Sequence, residues 1–186
     1  MNESNLKFPE NPFHMTRIGH SHVIDAVYNA LPPEMKNNLK IDIMEDSSDD
    51  PDQKFKDMVK HHYPPSYKEA TKWLTEGQTS YKAKDYDRAS YCFGVASHYI
   101  TDTFMAPHCV ERESSKEHHN FEKKMESLTP NAVELKGSLD SLMKVGVEQG
   151  QKDWQAWLKT RDETILQSEA DKAASASYTF IKNAIS

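Results

Sequence analysis

Residues 85–104, DYDRASYCFGVASHYITDTF, keep a helical period yet are apolar on nearly every side. Ala89, Phe93, Ala96 and Ile100 fall on stripes, and few positions are left to face water. A helix of this kind must be covered by other elements, so the spacing predicts a buried central helix with the chain arranged around it. Within it His98 and Asp102 are four residues apart. Side chains at that spacing share a face, with Cβ atoms about 5–6 Å apart. In apolar surroundings both are costly unless they pair with each other or hold a cation.

Further donors lie on either side. His108 follows Pro107, where the central helix should end, and His118 with Glu122 repeats the four-residue spacing on a second helical segment. Upstream, Asp52 closes an acidic run, His61 and His62 precede Pro64-Pro65, and His20 and His22 lie in the first helical segment. Nine histidines in 186 residues is a high count, and histidine is the commonest metal-binding side chain. Imidazole and carboxylate donors without thiolate suit zinc or another borderline divalent ion. The set exceeds what one tetrahedral site can use, which predicts two or three ions in one cavity with a bridging carboxylate. Metals about 3.5–4 Å apart are the usual apparatus for hydrolysing phosphate esters.

Each donor has a plainer explanation. His98 with Asp102 is also a satisfied buried hydrogen bond, His108 a loop residue, and His118 with Glu122 a solvated helix face. His119 competes with His118, His62 with His61, His22 with His20, and Asp49 and Asp50 with Asp52. Cys92 and Cys109 are too far apart for a CxxC-type site, and Cys92 reads as a small core residue.

The rest of the chain reads as helices. An irregular arm is expected over 1–15, then helices near 16–31 (with Ile18, Val23, Val27 and Leu31 as its stripe), 34–39, 51–60, 67–84, 115–128, 131–148 and 152–184. Ser66 with Glu69 looks like a capping box for the helix from Tyr67, and Gly150 separates the last two. No alternating strand pattern competes. The expectation is an all-α, single-domain helical bundle over 1–186: a metal-ligand core at 16–128, then C-terminal helices at 131–186. A fragment around 77–98 looks like half of a tetratricopeptide repeat, but no second copy follows.

With 37% apolar and 28% charged residues, the chain has the make-up of an ordered globular protein. A net charge of −6 argues against a nucleic-acid binder with a basic face and disfavours anionic membranes. It leaves open an enzyme that holds phosphate through cations. No basic-then-apolar leader and no apolar run of about 20 residues is visible, so the expectation is a cytoplasmic protein without a transmembrane segment.

The sequence HYITDTFMAPH (98–108) resembles the signature of zinc-dependent phospholipase C, with its His-Tyr, an Asp four after the His, and a closing Pro-His. HHNFE (118–122) resembles that family's His-x-x-x-Glu, and SDDPD followed by HHYPP its Ser-x-x-Pro-Asp loop and His-aromatic-Pro segment. GHSHVIDAVYNAL resembles its first-helix motif, and the five pieces run in the family's order over about 19–122. The resemblance implies the all-α fold shared by phospholipase C and P1-type nucleases. It implies that Asp52, His61, His98 and Asp102 hold one zinc, with Asp102 bridging to another, that His108, His118 and Glu122 make a second site, and that His20 serves a third. Asp52 or a metal-bridging hydroxide would be base or nucleophile on a phosphodiester, phospholipid being the leading substrate; no specific nucleic-acid binding is expected. A P1-like nuclease, a phosphatase, and a non-catalytic zinc-stabilised helical protein are the alternatives. The secreted bacterial enzymes begin with a tryptophan that ligates the third metal. Here the first tryptophan is Trp73 and nineteen residues precede His20, so either His14 replaces that ligand or the cluster holds two ions.

Overall fold

Helix α6 (Tyr86–Phe104) is buried almost from end to end, as its all-round apolar sequence requires. Asp85 starts it by accepting a hydrogen bond from the Arg88 amide at 3.1 Å. The computed structural model describes residues 17–186 apart from Met58 and the side chain of Ile18. The arm expected over 1–15, His14 within it, Thr16, and Ile18 of the first stripe lie outside the described residues. Among these residues the chain forms nine α-helices and one 3-10 turn, with no strand.

Around α6 lie α1 (Arg17–Ala30), α3 (Ile41–Ser47), α5 (Pro65–Lys82), α8 (Leu139–Thr160) and α9 (Glu163–Ile185). Short α2 (Pro33–Lys36) and α4 (Asp50–Gln53) flank α3, and α7 (Ser115–Met125) packs on α9. Val23, Ile24, Val27, Phe93, Ile100, Trp157 and Leu166 are fully or almost fully buried in one core. Fully burying an aromatic or aliphatic side chain of this size is worth about 1.5–3 kcal/mol. Cys92 belongs to that core, as its setting in the sequence suggests.

α3 crosses α6 at Gly94. A Cβ there would lie 2.0 Å from Ser47 Oγ and 2.3 Å from the Met44 carbonyl. This close approach brings the end of α3 to the face that carries His98.

Several boundaries differ from expectation. Residues 41–47 form α3 because Met44 is fully buried against the core, although the segment leads into an acidic run. The helix expected over 51–60 stops at Gln53. Lys56 takes a left-handed φ of 49°, and the Asp57 carboxylate accepts the Val59 and Lys60 amides, competing with helical bonding. Ser66 lies inside α5 and donates no cap; it is buried and bonds Thr103 at 2.8 Å, while Pro64 precedes the helix.

Gly150 does not separate two helices, because α8 runs through it. A Cβ at 150 would come 2.4 Å from Cys109 Sγ, so this glycine makes room for the 3-10 turn Ala106–Cys109. The break falls at Arg161, left-handed at φ 55°, and Asp162 caps α9 through the Thr164 amide. Residues 131–138 are an extended strap rather than helix. The amides of Asn131, Val133 and Leu135 donate to Asp171 Oδ1, Ser175 Oγ and Thr179 Oγ1 at 2.9, 3.0 and 2.9 Å. Alternate residues of an extended chain thus meet every fourth residue of α9.

Candidate metal centre

His98 and Asp102 project from one face of α6, as their spacing requires, and are 0% and 1% exposed. Nδ1 of His98 donates to the Ser48 carbonyl at 2.6 Å. Nε2 is therefore the ring's one donor atom for an ion, 3.2 Å from Asp102 Oδ2. The loop before α5 brings His61, whose Nδ1 is 2.5 Å from the same oxygen and 3.1 Å from His98 Nε2. Nε2 of His61 donates to the Asp57 carbonyl at 2.5 Å. α4 supplies Asp52, with Oδ1 3.4 Å from His61 Nε2 and 3.6 Å from His98 Nε2.

The other oxygen of Asp102 faces elsewhere. Oδ1 is 3.5 Å from Nε2 of His20 on α1 and 4.0 Å from Nε2 of His108 on the 3-10 turn. The His20 ring stacks on His98 with centroids 4.1 Å apart. His108 Nε2 also lies 3.6 Å from Glu122 Oε1, which is 2.7 Å from His118 Nε2 on α7. Links no longer than 4.0 Å therefore join all eight candidate residues through the two oxygens of Asp102. Three groups have donor atoms close enough to hold an ion: His20, His98 and Asp102; Asp52, His61 and His98; and His108, His118 and Glu122.

Of the rival residues, Asp49 stays close enough to Asp52 and His98 to feel both charges, and the others go elsewhere. His62 is exposed and its Nδ1 donates to the His108 carbonyl at 2.7 Å. His119 is exposed. His22 borders a separate cavity of about 500 Å³ between α1 and residues 128–132. Asp50 takes Lys54 at 3.0 Å. Cys109 donates to carbonyls of Thr103 and Met105 and stays out of the cluster.

The electrostatics suit a cation. Burial, helped by His98, pushes His20 down to about 3, leaving a neutral ring with one nitrogen lone pair to offer. Burial would raise Asp102, but His98 and His108 override it and hold the carboxyl well below its usual range. Burial likewise opposes charge on His98, yet Asp102 and Asp52 lift it to about 9. His61 and His118 are raised by Asp102 and by Glu122 against the same burial, and Glu122 is lowered by His108 and His118. Protons thus collect on the imidazoles where cations would otherwise balance the carboxylates. Both ring nitrogens of His20, Asp102 Oδ1 and His108 Nε2 are buried with no hydrogen-bond partner among the described residues. An unsatisfied buried polar group costs about 1–3 kcal/mol. His20 Nε2, Asp102 Oδ1 and His108 Nε2 belong to the donor groups, where borderline cations would satisfy them.

Compared with known families, residues 19–172 match zinc dependent phospholipase C. The chain belongs to that family. The match begins one residue before His20, takes in all eight candidate residues, and runs past the 19–122 of the motifs into α9. No curated protein matches the chain. Zinc-dependent phospholipase C membership and the His/Asp/Glu groups together support a metal-dependent, phospholipase-like hydrolase on the all-α fold. Membership implies a phosphate-ester substrate, lipid included. Among the described residues no helix is long and apolar enough to cross a membrane.

Residues the sequence reading missed support these candidate ligands from behind. Glu113 accepts from His118 Nδ1 at 3.1 Å, giving the carboxylate–histidine arrangement that fixes a metal-bound ring. Asp57 carries the carbonyl that orients His61; its place four before a histidine was a signal available in the sequence. Glu169, buried on α9, accepts the Ala106 amide at 3.0 Å and so braces the turn that carries His108. Nothing near Glu169 in sequence marks that role. Beside His108 and Glu113 opens a cavity of about 460 Å³, lined also by His62, Tyr63, Glu111 and Gln151.

Proposed function

We propose that this chain is a phosphodiesterase of the phospholipase C kind, with two or three zinc ions at the three donor groups and a phospholipid as substrate. The observation that carries the reading is Asp102, whose two oxygens face different donor groups while buried nitrogens around it lack partners. Zinc bound there supplies Lewis acidity, neutralising phosphoryl charge and bringing the pKa of bound water toward neutrality. The protein supplies position. Ser48 and Asp57 orient His98 and His61 through their carbonyls, and Glu113 orients His118. Asp102 would bridge the groups, Asp52 would take the proton from the attacking water and pass it to the alkoxide released as the P–O ester bond breaks, and the cavity beside His108 would admit the ester.

The test is a substrate panel on zinc-reloaded protein: phosphatidylcholine, single-stranded nucleic acid, and p-nitrophenyl phosphate mono- and diesters. Diester and phosphatidylcholine hydrolysis is expected. Preference for nucleic acid would move the assignment to a P1-like nuclease. A protein loaded with two zinc equivalents that cleaves none of them would make the cluster structural.

A further inference from the structure

Among the described residues four large apolar side chains are well exposed, and two of them, Phe55 and Val59, sit on the loop that joins Asp52 to His61. Val59 is 72% exposed and Phe55 41%. Lys54, Lys56 and Lys60 interleave with them. Lys72 of α5 faces the same hollow of about 590 Å³, walled by Phe55, Val59, Trp73 and Tyr99. Asp57 and Glu69 line it too, so the hollow carries one net positive charge in a chain of net charge −6.

Asp57 donates its amide to the Pro51 carbonyl at 3.0 Å, and its carboxylate accepts the Val59 and Lys60 amides and the Tyr99 hydroxyl at 3.1, 3.0 and 2.9 Å. Lys56 adopts the left-handed backbone that L side chains rarely take. Phe55 lies flat on Trp73, centroids 5.7 Å apart, and the buried Trp73 indole N–H has no hydrogen-bond partner among the described residues. Two exposed apolar side chains among lysines, on described residues tied together by Asp57, suit a partner both apolar and anionic. Lys54 and Lys60 already meet Asp50 and Glu69 at 3.0 and 2.8 Å, with the lysine side chains 68% and 50% exposed and the carboxylate side chains 5% and 16%.

We propose that residues 54–57 with Val59 and Lys60 form a lipid-docking surface: Phe55 and Val59 enter the interfacial layer of an anionic bilayer while Lys54, Lys56, Lys60 and Lys72 meet its phosphates. The proposal rests on the phospholipid reading above, because docking there sets Asp52 and His61 against the membrane surface. A single-stranded nucleic acid fits the surface less well. Phe55 already covers the Trp73 face, and Val59 offers no surface for base stacking.

The test is co-sedimentation of the full chain with vesicles of phosphatidylcholine alone or mixed with phosphatidylserine. Wild type is expected on the mixed vesicles, more weakly on the neutral ones, and less at high salt. Phe55→Ser with Val59→Ser should lower partitioning about tenfold, and Lys56→Ser about fivefold, with helicity and zinc content unchanged. Wild-type protein that ignores both vesicles, or binds single-stranded nucleic acid in their place, overturns the docking surface. So does a double variant that partitions as well as wild type. Hydrolysis of a soluble p-nitrophenyl diester is scored separately. Its failure with vesicle binding intact would count against the enzymatic reading and leave the docking surface standing.

Discussion

The Ser48 carbonyl accepts the Nδ1 proton of His98 at 2.6 Å, so this ring offers only Nε2 to the cluster. His98 belongs to two donor groups, with His20 and Asp102 and with Asp52 and His61. Its single lone pair cannot serve two ions. Filling both groups leaves one ion to rely on His20 and Asp102, which makes Asp102 the residue on which occupancy turns.

Asp102→Asn should therefore lower zinc content and esterase activity together. Loss of an outer-shell partner already weakens metal sites about 10–100-fold, and a bridging ligand should fall at or beyond that limit. Elemental analysis after gel filtration reads the first quantity and diester hydrolysis the second. Full zinc content in the variant would remove Asp102 from the bridging role.

Glu113→Gln tests the support behind His118. The amide cannot accept the Nδ1 proton with the strength of a carboxylate, so zinc affinity at the group with His108 and Glu122 should drop about 10-fold or more. Chelator competition at fixed pH measures it. Unchanged affinity would make the 3.1 Å contact incidental.

Gly94→Ala places a methyl group 2.0 Å from Ser47 Oγ and 2.3 Å from the Met44 carbonyl. Overpacking costs about 1–3 kcal/mol, sometimes more, against a helix-propensity gain of about 1 kcal/mol. A net loss of about 2 kcal/mol in urea unfolding is expected. Because α3 moves away from α6, Ser48 should release His98 and zinc content should fall as well. An unchanged midpoint would mean that the two helices separate freely.

Glu169 gives the pH prediction. Burial raises its pKa well above the carboxylate range, the Ala106 amide opposes that, and Asp153 adds to it. A carboxyl raised on folding contributes stability that is complete below its unfolded pKa and is lost as pH rises through the folded one. Zinc-free wild type should then lose stability relative to Glu169→Gln as pH rises above the ordinary carboxylate range, by up to about 1.4 kcal/mol per pH unit. Glutamine keeps an acceptor for Ala106 and never ionises. A difference between the two proteins that stays flat above that range would show Glu169 ionised throughout.

The central helix and its His98–Asp102 pair were legible because burial and the four-residue spacing are both local properties of one segment. His118 with Glu122 was legible for the same reason. His61 could not be separated from His62 locally: which imidazole turns inward depends on the Asp57 carbonyl and the Asp102 carboxylate, 41 residues away for the latter. The extended strap escaped the reading because its amides are satisfied by hydroxyls on α9, about forty residues later, and periodicity sees only neighbours. Gly150 misled in a related way. A glycine that permits contact and a glycine that ends a helix look alike until the contacting Cys109 is known.

The cluster draws on α1, α4, the loop before α5, α6, the 3-10 turn and α7. A cation shared by His20 and Asp102 would close a ring of about eighty residues, with the same chain-entropy logic as a cross-link of that span. Cys92 and Cys109 are both free and buried. The chain would thus gain the topology of a stapled protein through bonds that a chelator, rather than a reductant, unfastens.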